Sequence, residues 1–135
     1  MKVEIFTIAD AATVHAGKLN ILGTFDAIWA QQTPCLHPAC AVAIKLRFEV
    51  TELGHHPMRL SFVDEDGKIL NSIDGAFDVQ FQEGNEYYTV PLAIGIQALQ
   101  LPTFGDYEMR LVMDNQEVAT TSLSVRQAPQ QVLPA

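Results

Sequence analysis

The sequence predicts an all-β protein, a two-sheet antiparallel β-sandwich of immunoglobulin-like type with about eight or nine strands. Three observations predict it. Short apolar stretches alternate with period two, which puts every second side chain on one face of a pleated strand. Turn residues recur about every 8–12 residues, and no segment carries a long helical pattern. Finally, Leu101-Pro102 followed by Gly105 and Tyr107 has the spacing of a tyrosine corner, where a phenol near a strand start bonds back to the upstream backbone.

Taken in order, Val3 to Ile8 forms a first strand that extends through Ala12 and Val14, with Ala9–Ala12 alternatively one helical turn. His15-Ala16-Gly17-Lys18 turns the chain, Gly17 being suited to positive φ. Leu19 to Trp29 returns as a second strand, in which Gly23 marks a bulge or a close backbone approach. Pro34 and Pro38 fix a loop over Gln31–Pro38. The cleanest alternation follows: Val42, Ile44, Leu46, Phe48 and Val50 inward, Ala41, Ala43, Lys45, Arg47 and Glu49 outward. Thr51 to Pro57 is a turn, after which Met58, Leu60 and Phe62 face in against Arg59 and Ser61.

Asp64-Glu65-Asp66-Gly67 turns into a short strand over Lys68–Ile73, and Asp74-Gly75 punctuates before Phe77, Val79 and Phe81. After the turn Glu83-Gly84-Asn85, one inward face holds Tyr88, Val90, Leu92, Ile94 and Ile96. Pro91 falls on its outward phase, as an edge strand allows. Gln97 to Leu101 crosses between the sheets, with room for a helical turn. Tyr107, Met109, Leu111 and Met113 then face in against Glu108 and Arg110. Asp114-Asn115-Gln116 turns, and Ala119, Thr121, Leu123 and Val125 return inward. Residues 1–126 read as a single sandwich domain and 127–135 as a flexible C-terminal tail.

Composition narrows the partners. A chain of 135 residues buries roughly two-thirds of its unfolded surface, enough for a core without staples. Sixteen acids against eight Lys and Arg give a formal charge of −8, and no window gathers the cations that counterion release from nucleic acid requires. The expectation is therefore no nucleic-acid and no membrane role. Glu4 and Asp10 interrupt the N-terminal apolar run, so it does not read as a signal peptide, and no apolar run reaches the roughly 18 residues of a membrane helix. Two cysteines without a leader point to reduced thiols in the cytoplasm.

Four segments together resemble a known family: FTIADAATVHAGKLNILGTFD (Phe6 to Asp26), HPACAVAIKLRFE (His37 to Glu49), FVDEDGK (Phe62 to Lys68) and FGDYEMRLVMDNQE (Phe104 to Glu117). The family is an uncharacterised bacterial one of small leaderless β-sandwich proteins, a domain of unknown function. Many of its members carry Cys before the Asp of the first segment. Ala9 stands there in this chain. The resemblance implies a β-sandwich and supplies no activity and no catalytic residues.

The candidate sites each have a structural alternative. Cys35, His37 and Cys40 put three zinc-type ligands within six residues, with a fourth needed from His15, His55 or His56. Their spacing matches no common zinc signature, and Cys40 also reads as a small apolar residue starting a core strand. Asp64-Glu65-Asp66-Gly67 resembles the acidic start of a calcium loop, and Asp10, Asp26, Asp74 or Asp106 are candidates to join it from other loops. The required downstream Glu is Gly75, however, and a hairpin turn explains the same residues. His55-His56 reads as a turn pair. Asp10 and Asp26 face each other if the first hairpin is symmetric about Ala16-Gly17, a pairing that suits divided acid and base roles. Phe25, Ile28 and Trp29 read as core or as a partner-binding patch.

No nucleophile elbow, P-loop or zincin motif is present. The sequence thus assigns no catalytic, cofactor-binding or metal residue and no cofactor. The expectation is a non-enzymatic, protein-binding or self-associating module of the bacterial cytoplasm. The alternative is a small-molecule- or metal-binding protein, with zinc at the Cys35–Cys40 loop or calcium at the Asp-bearing loops. A sugar-processing enzyme on a jelly-roll frame has the least support.

Overall fold

The computed structural model describes residues 1–80 and 83–129. It is a two-sheet β-sandwich. One sheet has the order β2-β1-β4-β7 and is formed by β1 (Lys2–His15), β2 (Lys18–Thr24), β4 (Cys35–Glu49) and β7 (Tyr87–Leu101). The other has the order β3-β9-β8-β5-β6, with β3 (Ala27–Ala30), β5 (Gly54–Val63), β6 (Ile69–Val79), β8 (Gly105–Met113) and β9 (Gln116–Gln127). A single 3₁₀ turn, Val50–Glu52, links β4 to β5.

The core is the sum of the predicted alternations. Val42, Ile44, Leu46 and Phe48 of β4 are fully buried against Leu60 and Phe62 of β5 and Tyr107, Met109 and Leu111 of β8. Phe62 stacks on Tyr107 with ring centroids 5.2 Å apart. The tyrosine corner is formed. Tyr107 Oη donates to the Thr103 carbonyl at 2.6 Å and accepts from the Thr103 N–H at 3.1 Å, which ties the chain entering β8 to the strand's first inward residue. Asp114 and Asn115, at φ 51° and 65°, make the tight turn between β8 and β9 with left-handed residues that Asp and Asn tolerate.

Several boundaries differ from the sequence expectation. Leu19 to Trp29 is two strands. The chain leaves the first sheet at Phe25-Asp26, and β3 joins the second sheet parallel to β9, the one parallel pair of the described residues. Cys35 to Pro38 belongs to β4, not to a loop, and Gln97 to Leu101 continues β7 with no helical turn or crossing. The two segments, which pair with each other, share one feature. At Pro38-Ala39 in β4 and Gln97-Ala98 in β7 the buried phase shifts by one residue while their register is kept, with Ala98 at φ 56°. A period-two reading from either side breaks there. His55, His56 and Pro57 open β5 and are not in a turn. Asp74-Gly75 lies within β6, and Val50 sits in the 3₁₀ turn, 55% exposed. Ala9–Ala12 is strand. The expected tail is β9 as far as Gln127, and the Ala128 N–H bonds to Ala30 O; residues 130–135, and Phe81, lie outside the described residues.

The first sheet curls. Its outward residues Ala9, Ala41 and Ala43 are as buried as the core. In a flat sheet β2 and β7 would lie three strand spacings apart, about 14 Å, yet parts of them come within 8 Å at Cα. The β1–β2 hairpin therefore folds over the outer face of β4 and β7, and small side chains permit the approach. The bend is at Asp10 and Gly23. The β1–β4 pairing stops at Ala9, and Gly23 takes φ 70° with the Asp10 carboxylate where a Cβ would stand, 2.5 Å from Oδ2.

Two predictions follow from these joints. Tyr107→Phe removes all of the phenol's bonds to Thr103 from a buried site and should lower unfolding stability by about 1–2 kcal/mol in urea titration, with unchanged far-UV circular dichroism. Gly23→Ala should lower it by at least about 1 kcal/mol, because a left-handed φ and the Asp10 clash act together. Adding Asp10→Ala should recover only the clash.

Candidate interaction surface

The residues of the candidate metal and acid sites do not come together. Cys35 and Cys40 are five residues apart along an extended strand, roughly 16 Å, too far for a disulfide or a shared ion. Their cross-strand neighbours are Leu101 and Ile96. Burial, then the nearby Asp10 charge, pushes the Cys40 thiol's pKa up, against the thiolate that zinc requires. His37 packs on Phe25 with centroids 5.6 Å apart, and its buried Nε2 has no hydrogen-bond partner. Among the described residues no three of His, Cys, Asp and Glu converge to hold an ion.

The acidic turn has other work. Asp64 Oδ1 accepts the N–H groups of Asp66 (3.0 Å) and Lys68 (2.9 Å), closing its own hairpin. Glu65 reaches across to accept the Asp106 N–H at 2.6 Å, over Gly105, whose hydrogen leaves the space the carboxylate fills. Asp106 in turn accepts from Ser124 Oγ at 2.8 Å, and Asp74 pairs with Arg59. Asp10 lies opposite Gly23, with Asp26 three residues further on, so the two aspartates do not face each other.

The two adjacent histidines diverge, as neighbours on a strand must. His55 is exposed and pairs with Asp78. His56 is 12% exposed and lies over Phe48, centroids 4.8 Å apart. Its Nδ1 is 2.8 Å from Asp114 Oδ2 and its Nε2 is 2.6 Å from the Glu52 carbonyl. Both partners are acceptors, and only the imidazolium donates from both nitrogens. Burial pulls the pKa down, but the Glu52 carbonyl and then the Asp114 carboxylate outweigh it and hold it above the ordinary histidine value. This clasp joins the 3₁₀ turn, β5 and the β8–β9 turn.

The outer face of the five-stranded sheet offers a different kind of site. Ile28 packs on the core, so Trp29, the chain's one tryptophan, points outward, 61% exposed. The parallel β3–β9 register sets Trp29 beside Arg126. The antiparallel β8–β9 register begins with Gly105 opposite Val125, and Phe104, 37% exposed, immediately precedes β8. An exposed tryptophan and an arginine thus stand side by side at one end of the sheet. The expected cluster of Phe25, Ile28 and Trp29 is divided, with the first two inward and only Trp29 available. Trp29 stands out in the sequence by residue type, and Arg126 becomes its neighbour only through the strand pairing.

Residues 4–126 match the model of a family of unknown function, DUF6941. The chain belongs to that family. No curated protein matches it. Two solved structures of a glycosyl hydrolase family 2 member from Bacteroides cellulosilyticus each match 66% of this chain, at 16% and 17% identity and TM-scores of 0.37 and 0.39. The match takes up 13% and 12% of those chains, and a likeness at this level argues for no shared fold or activity. No helix of this DUF6941 member is long and apolar enough to cross a membrane among the described residues.

The His56 clasp gives a pH prediction. A group whose folded pKa is raised stabilises fully below its unfolded pKa, about 6.5, and loses that contribution as pH rises through the folded value. The urea midpoint should therefore fall with rising pH across that window in the wild type. Asp114→Asn, which keeps the left-handed turn, should flatten the slope.

Proposed function

We propose that the protein is a non-enzymatic, protein-binding or self-associating module of the bacterial cytoplasm, built on an immunoglobulin-like frame, with the outer face of its five-stranded sheet as the contact surface. The exposed Trp29–Arg126 pair carries the reading. Tryptophan and arginine dominate binding energy where they occur in interfaces, and strands hold these side chains at little entropic cost. The tyrosine corner at the start of β8 and the short β3 strand running parallel to β9 support the immunoglobulin-like comparison. The acidic composition and two unbridged thiols support a cytoplasmic setting.

The edges of the sheets fit the same picture. β6 carries Asp74 and Asp78, β7 carries Pro91, and β3 is four residues long, features that discourage open-ended strand addition at three of the four sheet edges, β2 being the fourth. This supports contact through the side chains of a sheet face.

The test is sedimentation velocity over a concentration series, with tryptophan emission read on the same samples. Docking of a second copy predicts faster sedimentation and a blue shift as concentration rises, both abolished by Trp29→Ala. A wild-type chain that stays monomeric with unchanged emission excludes self-association. If Trp29→Ala/Arg126→Ala then retains the same co-purifying chains in the same yield, the pair is not the partner surface.

A further inference from the structure

A groove of about 310 Å³ lies at the other end of the same outer face, over β6, β5 and β8. Ser61, the one buried polar residue among the described residues at 5% exposed, lies on its floor, and its hydroxyl is the neutral donor the groove offers.

Two arginines stand over it. The register pairs Ser61 with Arg110 and Arg59 with Val112, so the two guanidinium groups are diagonal neighbours on adjacent strands, close enough for both to reach one ligand. This chain has only eight Lys and Arg in all. Each arginine is oriented by a carboxylate of its own: Arg59 Nε lies 2.7 Å from Asp74 and Arg110 Nε 3.1 Å from Glu108. Both bonds run through Nε, so the donors at the far end of each fork are not those committed to these carboxylates. Glu117 also lines the groove and, with Asp74, limits its net positive charge, which argues against a highly charged polyanion. Val63 and Ile69 supply an apolar wall beside the polar floor.

We propose that this groove binds a small ligand with one oxyanion head, a carboxylate or phosphate monoester, and a short apolar body. The head takes the Ser61 hydroxyl as donor together with the outer donors of Arg59 and Arg110, which match planar oxyanions in fork geometry. The body lies against Val63 and Ile69. The site is separate from the Trp29–Arg126 pair and does not depend on it.

The test is ¹H–¹⁵N NMR titration of the whole chain with hexanoate and with hexyl phosphate, using 1-hexanol as the uncharged control. At least one charged probe should give saturable shifts centred on Arg59, Ser61 and Arg110, with binding weakened about tenfold in Arg59→Gln and Arg110→Gln. Both arginines are partly exposed, so these variants should fold. Ser61→Ala, which removes only the hydroxyl, should weaken binding too. Three results overturn the proposal: neither charged probe saturates at these residues, 1-hexanol binds as well as they do, or the variants bind like the wild type.

Discussion

The inward stripe of β8 is the constraint on which the rest depends. Tyr107, Met109, Leu111 and Met113 are each no more than 2% exposed, in the central strand of the five-stranded sheet. Because strand side chains alternate strictly, burying these four sends Asp106, Glu108, Arg110 and Val112 outward, and a one-residue slip would exchange the two sets. The tyrosine corner fixes where the stripe begins and the Asp114-Asn115 turn fixes where it ends. β5 and β9 then take their registers from β8. Those registers carry Arg59 and Ser61 to one end of the outer face and Arg126 to the other.

Charge is used in two ways across this frame. The carboxylates the sequence groups most suggestively, Asp64 and Glu65, are acceptors for backbone N–H groups, satisfying turns that would otherwise leave donors unpaired. That is why an acidic cluster legible as a calcium loop makes a joint between the β5–β6 turn and β8. Arg59 and Arg110 are positioned by neighbouring acids while extending over the groove. Exposed ion pairs of this kind contribute little stability, so their role in orienting the guanidinium groups is the more informative one.

The fold was legible wherever large apolar residues alternate with small or polar ones. β4 beyond Ala39, β8 and β9 follow the alternation, and the corner and tight turn were readable from residue chemistry. Three features were not. The sheet change at Phe25-Asp26 leaves no break in apolar character, because Phe25 and Ile28 remain inward while changing partner strands. The paired shift of phase in β4 and β7 defeats a fixed period. The curled hairpin buries outward alanines, whose size carries no periodic signal. The candidate surfaces were legible only in fragments. Trp29 stands out by type, but its pairing with Arg126, and that of Ser61 with Arg110, joins segments far apart in sequence.

The most direct test is the strand pairing of Ala27–Ala30, on which the Trp29–Arg126 pair rests, measured by inter-strand nuclear Overhauser effects. The account predicts parallel contacts of Ala27 with Ser124 and Trp29 with Arg126. Contacts of Ala27–Ala30 with the Val3–Phe6 segment of β1 would mean that β2 simply continues along the first sheet. Trp29 would then leave Arg126, and the proposed contact surface would not exist.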